Sequence, residues 1–141
     1  MRPVSIFGTI PMLEIILTTS MDNLRKLKRF KGLGEENMKG YQAKAVQITN
    51  ESINETVVVI VYPTMFTDSD EEVADTLLHE VIHAWDFTKG HYGYGEDTEL
   101  NAYATTNLYA QTHAAFVAAK KSVLAKEAAL IKKAKEAAKN A

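Results

Sequence analysis

The chain of 141 residues has no cysteine. Disulfide scaffolds, thiolate zinc fingers, iron–sulfur clusters and cysteine nucleophiles are excluded together. A transition metal would have to be held by histidine and carboxylate. Long hydrophobic runs are missing as well, and nothing approaches the ~18 apolar residues of a membrane span. The most apolar early stretch, Ile10–Leu17, is interrupted by Pro11 and Glu14 and followed by no small-residue cleavage site. Neither a signal peptide nor a transmembrane segment is expected, and the expected location is the cytoplasm. Glycine and proline are scarce, with none in the 46 residues from Glu96 onward, so a long helix is free to run there, broken at most once.

What is present fits one globular domain: 46% apolar and 24% charged residues. The net charge of −2 conceals an uneven distribution. Residues 1–119 carry 9 basic and 16 acidic side chains, a net of −7, while 120–141 carry seven lysines and two glutamates, a net of +5. The expected organisation is a body over 1–119 and a lysine–alanine helical tail over 120–141. Nucleic-acid binding by that tail is a reading to keep open. It is not the favoured one, because the lysines lack interleaved aromatics and arginines, and such stretches commonly serve as solvated helix surface.

Periodicity places the elements. Met12–Thr18 reads as a strand, and Ser20 or Asp22 can cap a short basic helix reaching Phe30. A strand over Gln42–Thr49 precedes another over Thr56–Tyr62, where Val57–Val61 is a β-branched run without alternation, the signature of burial on both faces. Ser69-Asp70-Glu71-Glu72 has the form of a capping box with negative charge at the positive end of the helix dipole. Val73, Leu77, Leu78, Val81, Ile82 and Trp85 then form one apolar stripe, with the helix expected to close at Lys89-Gly90.

The motif that carries chemistry is His79-Glu80-Val81-Ile82-His83, an H-E-x-x-H on that helix. Residues i and i+4 project from one face a turn apart, so two imidazoles can grip one Zn²⁺ at about 2.0–2.1 Å each. Glu80 is placed to act as general base on a water whose pKa zinc lowers to about 7. An open catalytic site needs a third protein ligand. Asp86 and Lys89 occupy the positions where a metzincin would continue its motif, which excludes that class. Glu99 on the next helix is the favoured third ligand, since helices hold ligands better than loops do. His91 in the glycine-rich loop, Glu96 and Asp97 are the alternatives. Tyr103, four residues after Glu99, is a candidate oxyanion donor, as is His91. Asp86 is a candidate to orient an imidazole. Trp85 reads as core, and His113 lies about 21 Å along a helix from Glu99, too far to be a ligand.

The H-E-x-x-H helix followed by a carboxylate on the next helix resembles the gluzincin branch of zinc metallopeptidases. More narrowly, Leu77–Trp85 with Gly95-Glu96 and Glu99–Ala104 is similar to small, mostly bacteriophage-encoded H-E-x-x-H proteins carrying an E-x-x-A-Y segment. The resemblance covers roughly residues 3–112. It implies a compact zincin core and, for a phage-encoded chain, residence in the host cytoplasm. Leu77–Ala84 also resembles the SprT/Spartan group of DNA-linked proteases, whose third histidine lies further downstream, where this chain offers His91.

The expected fold is therefore α+β: a minimal zincin-like domain with a three- or four-stranded sheet, an H-E-x-x-H helix and a long C-terminal helix. The expected function is zinc-dependent hydrolysis of a peptide or protein, with His79, His83 and Glu99 on zinc and Glu80 as base. A catalytically silent zincin-fold binding protein and a DNA-associated zinc protein are the alternatives. A peptide substrate would lie along an edge strand beside the motif helix. Thr56–Tyr62 is too apolar for an edge, which leaves Gln42–Thr49 or Met12–Thr18.

Overall fold

The computed structural model describes residues 1–51 and 53–141. The β-branched run forms β4 (Glu55–Val61), an inner strand of a four-stranded mixed sheet, with β1 (Val4–Ile6), β2 (Glu14–Thr18) and β3 (Lys44–Asn50) in the order β1-β2-β4-β3. β2 runs parallel to β4 with Ile16 opposite Val59, whereas β1 and β3 are antiparallel to their neighbours. The absence of alternation in β4 is explained by its surroundings. Val58 and Ile60 join Ile15 and Leu17 in one core, while Val57, Val59 and Val61 join Ile16 in a second core across the sheet.

Two helices cover the first face: α2 (Asp70–Tyr92) and α3 (Thr98–Lys139). Leu77, Val81, Ala84 and Trp85 of α2 and Ala104, Leu108 and Phe116 of α3 enter its core. The second face is closed by α1 (Met21–Arg25), a 3₁₀ turn at Lys28–Phe30, and Leu33 and Met38 of the following loop. The parallel pairing sets Glu14 and Glu55 at the same end of adjacent strands. Arg29 bridges them, 2.7 Å from Glu14 and in direct contact with Glu55.

The α+β class, the sheet and the long C-terminal helix agree with expectation; several details differ. β1 adds a strand whose three residues are too few to show a period. α1 ends at Arg25 because Leu27 is extended, with φ −76° and ψ 129°, and the chain re-enters a helical turn only at Lys28. Ser20 is its cap, accepting from the Asn23 amide at 3.1 Å. α2 runs on to Tyr92 instead of closing at Lys89-Gly90. Its left-handed terminus is Gly93, with φ +70°, whose N–H bonds the Lys89 carbonyl. Leu78 and Ile82 do not belong to the buried stripe; they are 40% and 46% exposed. α3 is unbroken over 42 residues.

Candidate metal centre

α2 is held at its start by Ser69, whose hydroxyl accepts from the Glu72 amide at 3.2 Å, with three carboxylates in the first turn. Two turns further on, the helix presents His79 and His83 together. Their Nε2 atoms lie 3.1 Å apart, with rings edge-to-face at 4.8 Å between centroids. Both side chains are exposed. Two nitrogens on a tetrahedral zinc, each about 2.05 Å from it, are separated by about 3.3 Å. The imidazole pair therefore matches the spacing of two zinc ligands almost without adjustment.

Glu80, the next residue after His79, is only 5% exposed. Among the described residues no lysine, arginine or histidine forms an ion pair with it.

The neighbours of the pair come from an unexpected direction. His79 lines a cavity of about 390 Å³ with Asp75 and Thr76 of α2 and the segment Gly40–Ala43, which leads directly into edge strand β3. A polar knot fixes that segment. Asp68 Oδ2 accepts from Tyr62 Oη at 2.7 Å, from Gln42 Nε2 at 2.9 Å and from Thr64 Oγ1 at 2.9 Å, and Gln42 Nε2 also reaches Tyr62 Oη at 3.3 Å. Donation from Gln42, then Tyr62 and Thr64, holds the Asp68 carboxyl below its ordinary value. Burial pushes the Tyr62 phenol up to about 12, with its bond to Asp68 acting in the same direction. Asp75 and the Gly40–Ala43 segment were missed in the sequence. The available signal for Asp75 was its position four residues before His79, on the same helical face.

The other candidates lie elsewhere. α3 meets α2 along Ile82, Trp85 and Lys89, where the Trp85 indole N–H donates to Asn101 Oδ1 at 2.8 Å. At about 100° per residue, that flank is about 100° round α2 from the histidine pair. Glu99, two residues before Asn101, points about 160° away from the side chain that meets Trp85. It lines a separate cavity with Tyr103, Thr106 and Asn107. Tyr103 Oη shares a 2.8 Å hydrogen bond with Thr9 Oγ1. Asp97 is committed as the cap of α3, accepting from the Leu100 amide at 2.8 Å. Glu96 pairs with Lys89 at 3.0 Å and accepts from Asn101 at 3.1 Å, and Lys89 above all lowers its pKa. Asp86 also turns to Lys89, at 3.3 Å, instead of to an imidazole. His91 stacks edge-on against Tyr92 at 5.0 Å, eight residues and about 12 Å of helix beyond His83. Trp85 is core, as expected, at 2% exposure.

Among the described residues no three of histidine, aspartate and glutamate stand close enough together to share a metal ion. The fold thus brings together His79 and His83, with Glu80 next to His79 in the chain, and sets Glu99 and Tyr103 on another surface. No helix among the described residues is long and apolar enough to cross a membrane. No protein-family model, curated protein or solved structure matches the chain.

Proposed function

We propose that this is a zincin-like zinc hydrolase acting on peptide bonds, with His79 and His83 as the metal pair and Glu80 as general base. The observation that carries the reading is the Nε2–Nε2 separation of 3.1 Å on the turn of α2 that also bears the largely buried Glu80. Bound zinc would supply Lewis-acid activation of water and stabilisation of the oxyanion. Glu80 takes the proton from the attacking water and returns it to the leaving amine. β3, an outer strand entered through the segment beside His79, offers an extended peptide a strand to pair with. β4 and β2 both lie inside the sheet, so in this reading β3 is the edge with which a peptide would pair.

The third ligand is a carboxylate in this reading. Glu99 is the residue favoured by the resemblance to gluzincins, and Asp75 is the one that shares a cavity with His79. Metal analysis with peptide-library cleavage tests the whole scheme. Glu80→Gln should keep zinc and lose hydrolysis by at least about 10²-fold, the lower end of what a general base contributes. His79→Ala should lose both. Whichever of Glu99→Ala and Asp75→Ala lowers zinc occupancy identifies the third ligand. Turnover retained in Glu80→Gln at full zinc content would refute the mechanism. Zinc bound stoichiometrically by a wild-type protein that cleaves nothing would favour the silent binding protein instead.

A further inference from the structure

Among the described residues, the last side chain of α3 seen to bond the body is Lys120, whose Nζ lies 2.5 Å from Asp70 Oδ1 at the start of α2. Beyond it the helix projects, and apart from the partly covered Val123 every residue from Lys121 to Lys139 is exposed. The projecting half is not uniformly polar. Apolar pairs recur every seven residues at Phe116-Val117, Val123-Leu124 and Leu130-Ile131, followed by Ala137-Ala138. Such a repeat keeps one stripe facing a single partner helix. The stripe leaves Val117 50%, Leu124 55%, Leu130 66% and Ile131 57% exposed. At its base, between Phe116, Val117, Leu124 and Asp70, lies an apolar cavity of about 350 Å³.

We propose that two copies of this chain associate antiparallel through α3, about a two-fold axis near Val123 and Leu124. The apolar pairs match one another in that orientation, and the charges and cavities select it. Leu130 and Ile131 of each copy fall opposite Phe116 and Val117 of the other and fill its cavity. Glu127, the acidic residue within the stripe, falls opposite Lys120 and Lys121. The lysines at 132, 133, 135 and 139 fall level with Ala115, Ala114, Thr112 and Leu108 of the second copy, so that the +5 tail lies along the −7 body. A parallel pair would set Lys120 against Lys120 and Glu127 against Glu127, and would leave both cavities unfilled. The interface is isologous and closes at two copies.

Sedimentation of the full-length protein across a concentration series reads the association directly. A dimer is expected, weakened by added salt. The Leu130→Glu/Ile131→Glu variant should weaken it at least tenfold, while near-ultraviolet circular dichroism of Trp85 shows the body intact. Because the chain has no cysteine, single cysteines report the geometry. Leu124→Cys should cross-link to itself and Ala138→Cys should not, and a mixture of Val117→Cys and Leu130→Cys should form the mixed disulfide. A monomer throughout the micromolar range, self-linking of Ala138→Cys, or undiminished association of the double variant would each overturn the proposal.

Discussion

Tyr62 offers a sharp test of the polar knot beside the histidine pair. Its ring is fully buried, and its hydroxyl donates to Asp68. Its pKa is pushed up to about 12, chiefly by burial, from the value of about 10 that a tyrosine has in an unfolded chain. Below pH ~10 the phenol is neutral in both states, and its full contribution to stability is present. As pH rises further, the unfolded chain ionises first, and the contribution drains away until the folded phenol ionises near pH 12. Two units at about 1.36 kcal/mol each make that loss about 2.7 kcal/mol. Denaturant unfolding at a series of pH values should show stability falling between about pH 10 and 12, with the fall reduced by that amount in Tyr62→Phe. Near neutral pH the same variant should cost only about 1 kcal/mol, because Gln42 and Thr64 still serve the Asp68 carboxylate. Tyrosinate absorbance of the folded protein should contain a late step near pH 12, worth one of six tyrosines, that vanishes in Tyr62→Phe. Superimposable titrations of the two proteins would refute the reasoning.

Arg29→Met should destabilise the fold by about 2–3 kcal/mol in urea unfolding, since it leaves Glu14, with a side chain only 10% exposed, and its neighbour Glu55 without their shared cation. Asn101→Ala strands the indole N–H of Trp85 and should cost about 1–3 kcal/mol, with a shifted tryptophan emission as the local report.

Much of the fold was legible because strong patterns occupied long segments. Val57–Val61 announced a strand buried on both faces, and α2 carried both a cap and a motif. The errors have local physical causes. Leu78 and Ile82 are apolar and helically spaced, yet the core-facing arc of α2 is already filled by Leu77, Val81, Ala84 and Trp85. The left-handed terminus went to Gly93 and not to Gly90, both glycines being free of side-chain hindrance to that conformation. The histidine pair could be read from spacing within a single helix. The surroundings of that pair could not, because they depend on which flank of α2 the second helix takes. α3 packs beside Trp85, carrying Glu99 and Tyr103 away, while Gly40–Ala43 comes in from a segment with no distinguishing residue pattern.

The parallel alignment of β2 with β4 has a consequence for the order of folding. β3 and β4 are neighbours in the chain as well as in the sheet, so their hairpin closes a short loop. β2 can reach β4 only after residues 19–54 have been looped out, and closure entropy makes that the slower event. The sheet is then expected to nucleate at β3–β4, with Ile15 and Ile16 joining late and completing both cores in one step. Conservative truncations should show it: Ile48→Val in β3 should slow refolding, whereas Ile15→Val in β2 should mainly speed unfolding. The reverse assignment would place the nucleus across the crossover instead.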